Sequence, residues 1–340
     1  MWKRAGSVVL RVSIFAMENT QAYKHKNNLK YTFPLLKRLV VFALVFVFAM
    51  ALALLLTGYI CREGRLGTTY QKNVRLVTAT SPKLVMIGGS NLHYGINSRM
   101  LQDSIGLQVV NMGLQHSIGL QYMFDEVRES LYKNDVLLLL LEPSAYIGMP
   151  VNGRTNIARI ASIYPKNIDK LNATQWYNAA MYSGLALLQN YRDSQVVISK
   201  KLRGKPTFDQ MCNELGDYHG HKGLPSKYKK KQRRDFNDEK IFNNEILPLI
   251  QEMKIYTQSN DIQMVIGFSP SAYSASDSLL FTRIQAGLPA EITVGNMPDY
   301  IFPDSFFYDS PNHLIYSKRD MRTRKLLRDL RSASIFFTPH

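Results

Sequence analysis

The stretch Lys83-Leu-Val-Met-Ile-Gly-Gly-Ser-Asn91 decides the fold of this chain. Residues 84–87 are a short apolar, partly β-branched run between Pro82 and Gly88, the pattern of a strand covered on both faces. Gly88 and Gly89 permit a sharp turn without a Cβ clash, and Asn97 or Ser98 can cap a helix that follows. Ser90 then sits at the carboxyl end of a buried strand, where open α/β sheets build their sites. A serine in such a turn can also do no more than cap backbone groups, so the rest of the chain has to decide its role.

Working outward, the strand pattern recurs. Residues 98–105 read as a short helix and 107–112 as a second strand ending at Gly113. Ser117 caps a helix running to about residue 133, with Leu120, Met123, Phe124, Val127 and Leu131 at helical spacing. Residues 136–141, Val-Leu-Leu-Leu-Leu-Leu, are too few to cross a membrane and suit a buried parallel strand. This β-α-β-α-β order predicts a three-layer α/β/α fold with a parallel sheet and right-handed crossovers. The alternation stops near residue 146. It resumes with a helix from about 238 to 260, a strand over 262–268 and a basic closing helix from 317 to about 330. Residues 146–235 read as a helical insertion over the carboxyl edge of the sheet.

Upstream, residues 39–60 form an unbroken 22-residue run without a charge. At ~1.5 Å per residue it is long enough to cross a ~30 Å hydrocarbon core. The basic residues ahead of it and the large domain behind it predict a signal anchor, with 1–38 a cytoplasmic basic tail, 39–60 the transmembrane helix, 61–82 a polar tether and 83–340 the domain. The chain is then single-pass in the inner or plasma membrane, with its C-terminal domain extracytoplasmic (periplasmic). Two cysteines among 340 residues exclude a disulfide framework and a cysteine zinc cluster.

A formal charge of +16 calls for an anionic partner. Outside the cytoplasm that means membrane lipid or an acidic envelope glycan rather than nucleic acid. The densest basic run includes Lys229, Lys230, Lys231, Arg233 and Arg234, which reads either as a solvated loop or as an anionic-surface contact. Asp217, His219 and His221 fall within five residues, but with no further ligand cluster they read as polar loop residues, and no metal is expected.

A serine is a weak nucleophile until a base takes its proton, and the usual base is a histidine held in one tautomer by a carboxylate. Asp309-Ser-Pro-Asn-His313 supplies both groups in one turn, and Pro311 prevents a regular helix there.

The ordered set Ile87-Gly-Gly-Ser90-Asn91, Asn111-Met-Gly113, a hydrophobic strand and a C-terminal Asp-x-x-x-His-Leu resembles the SGNH/GDSL hydrolase superfamily, in its membrane-anchored DltD-like branch. The resemblance covers about 83–145 and 237–330. It implies a flavodoxin-like SGNH domain in which Ser90 is the nucleophile, His313 the base and Asp309 its orienting partner. The Ser90 and Gly113 backbone N–H groups become the oxyanion donors, and no cofactor is required. Three positions depart from the family pattern: Gly89 replaces an aspartate, Leu141-Glu142-Pro143-Ser144 replaces the segment with the oxyanion asparagine, and three residues rather than two separate Asp309 from His313. Asn91 is the neighbouring amide left to complete the oxyanion hole. The resemblance implies an esterase or O-acyltransferase acting on acyl esters of an envelope glycan or lipid, with a membrane-bound O-acyltransferase as a partner. The alternative is a non-catalytic accessory protein that holds an anionic polymer beside such a transferase.

Overall fold

Four short parallel strands carry the centre of the protein. In the computed structural model, which describes residues 34–229, 243–272 and 278–333, β1 (Lys83–Gly88), β2 (Gln108–Asn111), β3 (Val136–Leu141) and β4 (Gln263–Phe268) form one sheet in the order β2-β1-β3-β4. Val85 is in register with Val110 on one side and Leu137 on the other, and Leu139 with Ile266. Side chains alternate across the sheet. Val85, Ile87, Leu137, Leu139 and Ile266 join one apolar cluster, while Leu84, Met86, Leu138, Leu140 and Val265 join a second. Both faces are therefore covered, as consecutive apolar residues in these strands require.

The helices, in chain order, are α1 (Pro34–Glu63), α2 (Thr69–Thr78), α3 (Ser90–Gly95), α4 (Ser98–Ile105), α5 (Leu120–Arg128), α6 (Pro143–Ile147), α7 (Thr155–Ile163), α8 (Ala173–Met181), α9 (Ser183–Leu202), α10 (Ile246–Ser259), α11 (Ser278–Ala286) and α12 (Arg319–Ser332). Leu92, Ile96, Leu101, Leu326 and Leu330 bring α3, α4 and α12 to one face of the sheet. Phe124, Val127, Ile250, Met253 and Phe281 bring α5, α10 and α11 to the other. The chain divides into two units, Met1–Ala53 and Leu54–His340. Helix α1 is long and apolar enough to cross a membrane, and its most apolar stretch has no buried residues, unlike a core helix.

Three local readings need correction. The segment 61–82, expected to be an unstructured tether, contains α2, whose Lys72 is buried and donates to the carbonyls of Asn111 (2.7 Å) and Gly216 (2.8 Å). Its inward face is largely polar and is satisfied by residues far along the chain, so it has no apolar period to detect. The helix expected from Ser117 begins only at Leu120, because Gly119 (φ 99°) packs against the Val151 carbonyl and breaks it. A further helix, α3, starts at Ser90 itself, ahead of the Asn97 cap of α4. The expected helix start near 238 lies outside the described residues, and α10 begins at Ile246.

At the opposite edge of the sheet, Lys83 and Asp135 form a fully buried pair. Lys83 Nζ lies 2.8 Å from Asp135 Oδ2, and the carboxylate also accepts the Lys83 and Tyr132 N–H groups at 2.9 Å each. Asp135→Ala is expected to strand the ammonium and lower the unfolding free energy by about 3–5 kcal/mol in a urea titration. A loss near zero would show that water or another group replaces the carboxylate.

Candidate active site

Ser90 is presented by close backbone contact between β1 and β3. A Cβ on Gly88 would stand 2.5 Å from the Leu140 carbonyl oxygen, so only glycine lets the strand pass into α3 here. A Cβ on Gly89 would stand 2.7 Å from Glu142 Oε1. The space beside Gly89 is thus occupied by a carboxylate from the end of β3.

The base arrives from the other end of the chain. Phe307 and Leu314 pair as an antiparallel bridge, and Tyr308 N–H donates to the His313 carbonyl at 2.7 Å, closing the loop that carries Asp309 and His313. His313 Nε2 lies 2.6 Å from Ser90 Oγ, and His313 Nδ1 lies 2.7 Å from Asp309 Oδ1. Burial pushes the Asp309 carboxyl up, but the hydrogen bond and charge of His313, reinforced by Arg65 and His221, hold it below its ordinary value. Tyr94, one helical turn after Ser90, stacks on the His313 ring at 4.1 Å and 6° between planes. Residues 90, 309 and 313, separated in sequence, therefore meet with the polarity of a nucleophile, base and orienting carboxylate.

The expected oxyanion donors fare differently. Gly113 N–H donates to Asn111 Oδ1 at 3.0 Å. The Asn91 amide donates to the Leu140 carbonyl at 3.1 Å, while its Oδ1 accepts from Arg322 Nη2 at 2.9 Å. Both groups are hydrogen-bonded within the protein in this arrangement. The Ser90 N–H is without a partner among the described residues. Arg322, fully buried, donates to both the Asn91 carbonyl and its Oδ1.

Several site residues were not singled out from the sequence. Glu142 accepts from the Asn91 N–H (3.4 Å) and from Asn312 Nδ2 (3.0 Å), which ties β3 to the histidine loop. His116 is buried, its Nδ1 has no partner among the described residues, and its Cβ would be 3.1 Å from a Cβ on Gly89. Burial lowers its pKa against the pull of Glu142. Tyr94 at i+4 from Ser90 was the detectable signal, since residues four apart share a helix face.

Asp217, His219 and His221 do not converge. Asp217 takes Ser98, Asn111 and Arg319, and His219 Nδ1 lies 3.1 Å from the Tyr316 hydroxyl. His221 is buried among Tyr94, Tyr218, Tyr308 and Tyr316. Lys229 is exposed, whereas Lys230, Lys231, Arg233 and Arg234 lie outside the described residues. The start of the basic run is beside the site rather than remote from it, with Lys222 over Tyr316 (5.7 Å) and Lys227 over Tyr308 (5.6 Å).

No family model matches the sequence, and a search of curated proteins finds no match.

Two outcomes follow from this geometry. Burial, with Arg319 and His313 adding to it, lowers the His221 pKa from 6.5 to about 4. Above pH 6.5 both folded and unfolded chains leave it neutral. As the pH falls toward 4 the unfolded chain takes the proton first, so stability is lost, on the order of 3 kcal/mol from this group. Urea midpoints at pH 7 and 4.5 should diverge less in His221→Phe than in the parent, and equal divergence would remove His221 as the cause. For Asn91→Ala, removal of the Arg322 acceptor is expected to lower stability by about 1–3 kcal/mol without a selective loss of Ser90 reactivity in the folded fraction. Unchanged stability with slowed acylation would return Asn91 to the oxyanion hole.

Proposed function

We propose that this chain is a membrane-anchored serine esterase or O-acyltransferase of the SGNH type. Its domain lies outside the cytoplasm and acts on acyl esters of an envelope glycan or lipid. The observation that supports this reading is the continuous Asp309, His313, Ser90 hydrogen-bond chain at 2.7 and 2.6 Å, with the histidine ring seated on Tyr94. In the reaction, His313 Nε2 takes the Ser90 proton as Oγ attacks the ester carbonyl. The proton passes to the departing alkoxide as the acyl-serine forms. Water or an acceptor hydroxyl then attacks the acyl-serine, giving its proton to His313, and Ser90 recovers its hydrogen as the acyl group leaves. The Ser90 N–H faces the developing oxyanion, and each donor absent from a two- or three-donor hole costs about 100- to 1000-fold in rate, so turnover is slow.

One observation favours the accessory-protein reading. The Gly113 N–H and the Asn91 amide are both already engaged. A fluorophosphonate probe separates the two. The parent protein is expected to label at Ser90, Ser90→Ala and His313→Ala to abolish labelling, and Asp309→Asn to slow it by about 10- to 1000-fold, because the base loses its tautomer and orientation but remains. Folded parent protein that never labels would establish the binding-protein reading instead.

A further inference from the structure

A cavity of about 560 Å³, lined by none of Ser90, Asp309 and His313, has no role in the acyl-transfer chemistry. Residues 63–66, at and just beyond the end of α1, form one wall, Arg192, Val196 and Lys200 of α9 form another, and Gln115 and Phe208 also line it. Its acidic residues are committed: Glu63 pairs with Lys201, and Asp193 with Arg159. Arg192 and Lys200 form no ion pair among the described residues, and Arg65 forms none either, although its charge also acts on Asp309. Three cations without a paired carboxylate around a cavity favour an anion, and two guanidinium forks with an ammonium suit the several oxygens of a phosphate.

Two series of neighbouring residues lead from the cavity lining toward the triad. Gln115 precedes His116, which stands beside Gly89. Arg65 lies over the Phe208 ring at 5.6 Å, and Phe208, Tyr218, Tyr94 and His313 follow one another as ring neighbours at 4.3, 4.8 and 4.1 Å. The other rim turns apolar. Val196 lies on it, and Leu188, Leu185 and Met181 continue along α9 and α8, all at least half exposed. Cys61 Sγ donates to the Asn190 carbonyl and Arg62 Nε to the Ile163 carbonyl, so α9 and α7 are held where the apolar run of α1 ends.

We propose that this cavity binds the phosphate group of an amphiphilic or polymeric substrate and holds it for Ser90. The inference rests on the acyl-transfer reading and names the substrate's charged part. A lipid headgroup and a soluble phosphate share that chemistry, so both are tested. Full-length protein in phosphatidylcholine nanodiscs is titrated with short-chain phosphatidic acid and, separately, with inorganic phosphate. Saturable binding is expected, weakened about 10-fold or more in Arg192→Gln/Lys200→Gln, since charge-assisted hydrogen bonds are the strong ones. Much tighter binding of phosphatidic acid assigns a lipid source, and equal binding of phosphate assigns a soluble one. Binding that is unchanged in the double variant, or absent for both probes, overturns the site. Fluorophosphonate labelling of the parent protein in the same nanodiscs reads the other proposal separately: binding without labelling keeps the phosphate site and removes the acyl-transfer reading.

Discussion

Polar groups buried at the carboxyl edge of the sheet must find partners inside the protein, and this requirement holds the site together. Asp217 is the clearest case. Its carboxylate accepts from the Ser98 N–H (2.8 Å), the Ser98 hydroxyl (2.5 Å), Asn111 Nδ2 (2.9 Å) and Arg319 Nη2 (3.1 Å). One residue of the insertion thereby ties the start of α4, the end of β2 and the start of α12. Arg322, one turn later on α12, reaches Asn91 beside the nucleophile. Glu142 joins Asn91 to Asn312 and so links β3 to the loop of the base. Ser90 and His313 come within 2.6 Å because this network leaves the segments carrying them little other arrangement.

The same network shapes the chemistry. A buried arginine and a buried carboxylate flank Ser90, and both hydrogen-bond to Asn91. Asn111 likewise spends its Oδ1 on the Gly113 N–H while its Nδ2 holds Asp217. Donors committed to the fold in this way are well fixed but poorly available to anything else. The base is better provided for, between an ionised Asp309 and the face of Tyr94.

The connection to α1 is equally specific. Residues 61–82, though polar, are folded onto the domain through the buried Lys72 and the hydrogen bonds of Cys61 and Arg62. The same folded unit carries the exposed apolar side chains of α8 and α9 and the cations of the cavity.

The grouping of Ser90, Asp309 and His313 came from a family resemblance. Apolar runs and glycine turns by themselves determined the parallel strands, the alternation of helices between them and the long apolar helix. Each is a local pattern, since strand burial and turn geometry are written in neighbouring residues. Only the tertiary structure decided which hydrogen-bond donors remain free, because Gly113 and Asn91 are occupied by residues whose positions depend on the whole network. It also decided that α2 is folded, since the face it buries is polar and paired with Asn111, Gly216 and Glu126 from distant segments. Polar partnership across such separations leaves no period in the sequence, whereas burial of a continuous apolar face does.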